Sequence, residues 1–282
     1  MNAENLITSE PVRNAGALAH EMKRWIIEQS LASNVGHIGS ALSIVEIMST
    51  LWADIMRDPG TQSPLRDRFI LAKGHAALTL YCALRWKGII DEATFKTYCK
   101  DGSLLGAHPV HKIPGVELST GSLGLGLSVG CGLAYGLRLK KLPSRVFVLI
   151  SDGECNEGQV WEAAMFAGHH HLTNLCVIVD LNGSQCLGHT AEILDITHQI
   201  PIWKSFGWDV TAVDGHCIDD LFAALTTQSP TAKPRAIIAR TILGKSVSFM
   251  ENRFEWHYRN LTPELAAQAL SELESRSENR IY

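Results

Sequence analysis

Two short apolar runs, each stopped by an acidic, glycine-containing turn, constrain this chain more than any other feature. Val146-Phe147-Val148-Leu149-Ile150 is unbroken by polar residues, and Leu175 to Val179 reads the same way. A strand with one wet face alternates polar and apolar residues. A continuous apolar run of this length fits a parallel strand covered on both faces. The first run ends at Ser151-Asp152-Gly153 and the second at Asp180-Leu181-Asn182-Gly183. A helical stretch from about Glu157 to His171 joins them. A small-residue helix, opened by Gly121-Ser122-Leu123-Gly124-Leu125-Gly126 and running to about Lys141, precedes them. Further strands are expected at Trp208 to Val213 and Ala236 to Thr241, with a helix over 218–227 between them. Strand–helix–strand alternation predicts an α/β fold: a doubly wound, mainly parallel sheet with helices on both faces. Ligands of such sheets sit beyond the carboxyl ends of the strands, where both turns fall.

The first hundred residues read as helical. Leu18, Met22, Trp25, Ile26 and Gln29 keep helical spacing, and Ile44 to Met56 is apolar without strand alternation. With 282 residues the chain has the length of one large domain. It divides into a helical part over about 10–115, an α/β part over about 116–262 and a helical tail over 263–282. The formal net charge of −4 excludes the basic face of a nucleic-acid binder. The N-terminus lacks the basic flank and apolar run of a signal peptide. No stretch of about 18 apolar residues offers a membrane span. Seven scattered cysteines without a C-x-x-C pair read as reduced core thiols of a cytoplasmic protein.

The two turns carry chemistry. Asp152 ends a dry strand, where an unpaired carboxylate is costly. Asn182 lies 30 residues on, at the next strand end, and Gly183 permits a tight turn. One Asp oxygen, one Asn amide oxygen and a backbone carbonyl near Ser184 make half of an octahedral shell. Mg²⁺ accepts such a shell and completes it with phosphate oxygens and water. Gly153 and the following helix N-terminus suit an approaching phosphate. Taken alone, the same residues also read as an ordinary strand-end turn with an Asn-Gly bend. His169-His170-His171 is not a metal site by spacing, because consecutive helical residues point about 100° apart. Trp25, Trp52, Trp86 and Trp203 read as packing residues.

Ser151-Asp152-Gly153 followed by Asp180-Leu181-Asn182-Gly183 resembles the thiamine-diphosphate motif. The likeness extends through Gly36-His37-Ile38-Gly39-Ser40, Lys73-Gly74-His75-Ala76-Ala77, Ala107-His108-Pro109 and Ser119-Thr120-Gly121-Ser122-Leu123-Gly124. It continues through Glu154 to Met165 and Phe249 to His257, in transketolase order. The chain thus resembles the N-terminal, diphosphate-binding (PP-type) part of transketolases. The resemblance implies that Asp152, Asn182 and the Ser184 carbonyl hold Mg²⁺, or another divalent cation such as Ca²⁺ or Mn²⁺. It implies that His75, Gly153, Asn182 and His257 contact the diphosphate of thiamine diphosphate, and that Gly121 and Leu123 lie near its rings. His37, His108 and His257 would line the channel to the reactive carbon, bind sugar hydroxyls and move protons. Glu157 and Glu162 match interface carboxylates that link active sites, though five residues apart they need not share one helix face. Three departures stand out. Ser151 replaces a motif Gly, Ile38 replaces a Pro, and Leu125 replaces a Gln; the last two are expected close to the substrate channel.

Thiamine-diphosphate chemistry also needs a carboxylic acid on the aminopyrimidine. In transketolases it is a Glu of a second, pyrimidine-binding domain, and no second α/β module is legible before Tyr282. The expectation is a split transketolase: a separate C-terminal subunit supplies that Glu, in an α₂β₂ assembly acting on sugar phosphates. Together the subunits would transfer a two-carbon ketol unit from a ketose to an aldose. The alternatives are another thiamine-diphosphate carboligase, such as a 1-deoxyxylulose-phosphate synthase-like subunit, or a non-catalytic subunit that keeps the fold. A nicotinamide-binding enzyme is disfavoured, because no convincing strand precedes the Gly121–Gly126 loop.

Overall fold

The computed structural model describes residues 13–278; the first twelve and last four positions of the expected domain lie outside them. The chain begins with α1 (Ala15–Ser33), α2 (Ile38–Ser43) and α3 (Val45–Thr50), then enters β1 (Arg68–Leu71), α4 (Ala77–Trp86) and the short α5 (Glu92–Phe95). A long loop leads to α6 (Leu125–Leu139), β2 (Val146–Ser151), α7 (Gly158–His169) and β3 (Leu175–Leu181). A small hairpin, β4 (Ser184–Gln185) with β5 (Gly188–His189), precedes α8 (Thr190–Ile193) and α9 (Gln199–Ser205). β6 (Asp209–Asp214), α10 (Ile218–Thr226), β7 (Arg235–Arg240) and α11 (Pro263–Glu278) complete the order. The main sheet has five strands in the order β1-β2-β3-β7-β6, and each neighbouring pair is parallel.

Both faces of the central strands β2 and β3 are covered, as their unbroken apolar runs require. Phe147, Leu149, Cys176, Ile178 and Ile237 pack against α1, α3, α4 and α10 on one side. Their strand neighbours Val146, Val148, Ile150, Val177, Val179 and Ile238 pack on the other, against α6, α7 and α9. The chain steps outward from β2 to β3, overshoots to β6 and returns to β7. The direction of winding therefore reverses beside β3, and a crevice opens there at the strand ends.

The strands and helices expected between 121 and 275 are present with shifted ends: the glycine-loop helix starts at Leu125 rather than at 121. One expectation is overturned. The first hundred residues are not wholly helical, because Arg68–Leu71 is β1. Four residues are too few to show a period. They become a strand by pairing with Val146–Leu149 at the edge of the sheet, a tertiary effect. Trp86 also departs from its reading as a packing residue, being 38% exposed at the end of α4. Trp25, Trp52 and Trp203 are buried as expected. Cys82, Cys131, Cys155 and Cys176 are buried free thiols, whereas Cys186 is exposed. No helix among the described residues is long and apolar enough to cross a membrane.

Candidate active site

The crevice holds a cavity of about 290 Å³ with the tips of β2 and β3 as its floor. The register brings Ser151 opposite Asp180, and the Asp152 amide N–H donates to the Asp180 carbonyl at 3.1 Å. Asp152 is fully buried. One carboxylate oxygen accepts the Gly153 N–H at 2.8 Å. The other accepts the Gly183 N–H at 2.8 Å and the Thr190 hydroxyl at 3.1 Å. Gly183 takes a left-handed φ of 70°, which lets the turn after Asn182 fold back onto that carboxylate. The two strand tips named from the sequence are thus joined by a direct hydrogen bond. Burial, and the nearby charge of Asp180, push the Asp152 carboxyl up to about 6 despite these donors. A carboxylate so placed is stabilised by a cation. Asn182 is buried beside it. Its Nδ2 donates to Asp180 Oδ2 at 2.8 Å, and its Oδ1 accepts the Ser184 N–H at 2.9 Å.

Four histidines form the wall. His37 lies 5.3 Å from His75, 6.3 Å from His108 and 5.5 Å from His257, ring centre to ring centre, and His75 lies 4.9 Å from His257. They come from four distant segments fastened by main-chain contacts. The His37 N–H donates to the His257 carbonyl at 3.0 Å, and His37 itself holds a left-handed φ of 67° at the start of α2. Burial lowers the affinity of His37, His75 and His257 for a proton. His257 falls to about 4, with the charges of His37 and Lys73 adding to the effect. His75 falls well below the ordinary value, and His37 falls too. These three rings are neutral near pH 7 and each offers one donor and one acceptor. Nδ1 of His37 and of His257 is buried without a hydrogen-bond partner. Such orphaned atoms are uncommon in a folded protein and mark a place for a polar ligand.

Gly121 and Leu123 also line the cavity, and a Cβ on Gly121 would stand 3.3 Å from the His108 ring. Gly153, Asn182 and Ser184 line the floor. Of the residues singled out from the sequence, Asp152 lies just beneath the cavity. Glu157 stands outside it, exposed at the start of α7, as does Glu162 one turn on. Neither Ile38, buried in the core, nor Leu125, exposed at the start of α6, lines the cavity. No three His, Cys, Asp or Glu side chains among the described residues group as a metal cage. A cation here would draw on one carboxylate, amide and carbonyl oxygens, and its ligand's phosphates.

Sequence reasoning missed several lining residues: Ser40, Lys73, Gln185, Cys186 and Tyr258. It also passed over Glu154, which is buried and ties the glycine loop to the floor. Its carboxylate accepts the Gly124 N–H at 2.7 Å and the Ser151 N–H at 3.4 Å. The signal was an acid directly after Asp152-Gly153, hidden by the more familiar motif around it. Burial pushes the Glu154 carboxyl from 4.5 up to about 7. As pH rises past 4.5 the unfolded chain ionises first. This acid therefore lowers stability between about 4.5 and 7, and the loss is complete above 7. At about 1.36 kcal/mol per pH unit the loss is at most about 3 kcal/mol. Glu154→Gln, which keeps an acceptor for Gly124, is expected to unfold at the same urea concentration as the parent at pH 4. At pH 8 the metal-free variant should be more stable by about 1–3 kcal/mol. Equal stability at both pH values would contradict this account of the buried acid.

A doubly wound sheet with a polar crevice beyond its strand ends is the architecture of α/β proteins that hold phosphorylated cofactors. Residues 18–275 match the family described as transketolase, thiamine diphosphate binding domain. The chain belongs to this family. It is 37% identical over 260 residues to a 6-deoxy-6-sulfo-D-fructose transketolase subunit of Clostridium sp., covering 91% of this chain and 94% of that one. It is 36% identical over 259 residues to an apulose-4-phosphate transketolase subunit of Phocaeicola vulgatus, covering 91% and 92%. Human transketolase is 36% identical over 271 residues, covering 93% of this chain and 42% of that one. Among solved structures, transketolase from Campylobacter jejuni superposes with a TM-score of 0.87 at 25% identity, over 94% of this chain and 43% of that one. The chain thus spans less than half of these larger transketolases.

Proposed function

We propose that this chain is the metal- and diphosphate-binding subunit of a cytoplasmic split transketolase. With a separate pyrimidine-domain subunit it transfers a two-carbon ketol unit from a ketose phosphate to an aldose. The observation that carries the reading is the joined pair of strand tips at the base of a cavity walled by four histidines. Relatives that match it over nearly their whole length are named as transketolase subunits, which supports a two-chain enzyme; the assembly proposed for it is α₂β₂.

The residues fit thiamine diphosphate and a divalent cation. Asp152 is an anion short of a counter-charge, and two histidine nitrogens lack partners. Asp152, the Asn182 amide oxygen and the Ser184 carbonyl would hold the cation. His75, Gly153 and His257 would meet the diphosphate, and Gly121 and Leu123 would flank the rings. When bound, the cofactor supplies a nucleophilic carbon and an electron sink. The chain's own part is positional and acid–base. His37, His108 and His257 orient sugar hydroxyls and shuttle protons through their ring nitrogens. Burial in the walled cavity strengthens each of these hydrogen bonds. Glu157, beside the glycine loop, would act across the subunit contact. The N1′-activating Glu and the anchors for the sugar phosphate belong to the second subunit.

The test is reconstitution. Mixed with its pyrimidine-domain partner, Mg²⁺ and thiamine diphosphate, the chain should transfer ketol units between a ketose phosphate and an aldose phosphate. Omitting the cofactor or either subunit should remove the activity. Full activity by this chain alone would refute a divided site.

A further inference from the structure

At the wall of the cavity, which Lys73 helps to line, lies a buried ion pair that the proposed chemistry does not use. Lys73 and Asp180 are both fully buried and hydrogen-bonded to each other. The Asp180 carboxylate also accepts the Ser43 hydroxyl at 2.9 Å, the Thr241 hydroxyl and the Asn182 amide Nδ2 at 2.8 Å. These donors come from α2, from the segment after β1, from the tip of β7 and from the end of β3. Asp180 is therefore the knot at the point where the winding of the sheet reverses. Replacing a whole buried ion pair with apolar side chains is often neutral or stabilising, so stability alone does not account for one here.

The reason lies in the symmetry of the asparagine side chain. Its amide O and NH₂ are nearly the same size, yet only the oxygen can bind a cation. An ionised carboxylate accepts hydrogen bonds and donates none. Asp180 therefore fixes the NH₂ end of Asn182 toward itself, and the Ser184 N–H fixes the oxygen end at 2.9 Å. The flipped amide would set oxygen against carboxylate and NH₂ against N–H. We infer that Asp180, held in place by Lys73, is a positioning residue that selects which end of Asn182 faces the metal. The inference rests on Asn182 being a metal ligand as proposed above. Lys73 is the second half of the device. Its ammonium is hydrogen-bonded to the same Asp180 carboxylate oxygen that takes the Asn182 amide, which pairs the charge of that carboxylate and holds it in place.

The test is a swap in the full chain, read by Mn²⁺ binding in the presence of thiamine diphosphate, with the metal-free melting temperature as the folding control. Asp180→Asn gives Asn182 a neighbour that can donate, so the selection is lost. Mn²⁺ affinity should fall about 10- to 100-fold, the usual effect of losing an outer-shell partner. Asn182→Asp alone sets two carboxylates against each other and should also bind weakly. The double variant Asp180→Asn/Asn182→Asp reverses donor and acceptor. Its ligand has two identical oxygens and no flip to select, so affinity should return to within about tenfold of the parent. A merely structural role predicts that the second substitution adds to the damage of the first. If an unpaired Lys73 prevents folding, Lys73→Met is added to every variant. Parent-like affinity in Asp180→Asn, or no recovery in the swap, overturns the inference. A parent chain that ignores Mn²⁺ and thiamine diphosphate overturns the cofactor-site reading itself, and this one with it.

Discussion

Asp152→Asn should lower Mg²⁺-dependent binding of thiamine diphosphate by more than about 100-fold, exceeding the 10–100-fold effect of losing an outer-shell partner. The same change should make the metal-free chain more stable at neutral pH. Both effects follow from one fact: the carboxylate is buried under three donors beside the charge of Asp180. Its folded-state value of about 6 lies above the ordinary 3.8. Between those values the native state holds a proton that the unfolded chain has released. Stability therefore falls as pH rises from about 4 to 6 and stays low above that. At ~1.36 kcal/mol per unit the deficit is at most about 3 kcal/mol. Asparagine carries no such charge, though it exchanges one acceptor for a donor and loses part of the gain. Urea unfolding at pH 4 and pH 7.5, with and without Mg²⁺, separates the terms. Without metal the variant should gain at pH 7.5 and not at pH 4. With metal and cofactor only the parent should gain. A variant that loses stability equally at both pH values would show that Asp152 serves the fold.

Gly36→Ala is the second large effect. A Cβ at Gly36 would fall 2.6 Å from the Tyr258 carbonyl oxygen and 2.9 Å from its carbon. These are backbone atoms and cannot rotate away. Relief requires the His37 segment to part from the segment carrying His257, against the 3.0 Å main-chain bond between them. Overpacking of this kind costs about 1–3 kcal/mol. In a chain of this size that lowers the melting temperature by roughly 2–5 °C. The functional loss should be separable from it. Mn²⁺ binding at the strand tips should hold, whereas kcat of the reconstituted enzyme should fall at least about tenfold as the imidazoles part. Unchanged kcat in the folded variant would mean that the spacing of His37 and His257 is not used.

The sheet was legible where local pattern and tertiary demand agree. The runs at 146–150 and 175–179 are apolar throughout because both faces are covered, so sequence and packing carry the same message. β1 was not legible, since four residues after Asp67 become a strand only by lying against β2. At the site, the strand-tip pair could be named because acid–Gly and Asn-Gly turns punctuate dry strands. The grouping of His37, His75, His108 and His257 came only through family likeness, as no spacing rule unites positions so far apart. Lys73 and Asp180 escaped notice for a related reason. A charged residue in a motif reads as a surface or ligand group, and its burial against a partner 107 residues away has no one-dimensional signature.

The opposed coverings of the sheet have a consequence for how such a site can change over time. The rings of His37 and His75 belong to the layer of α1 to α4, while the glycine rim at Leu123 belongs to the layer of α6 and α7. The acid–amide grip belongs to neither; it is carried by strand ends anchored between them. Drift in either covering can therefore reshape what the cavity admits while the anchorage stays put. Under the proposed function, such drift would admit new sugars without rebuilding the part that is hardest to rebuild.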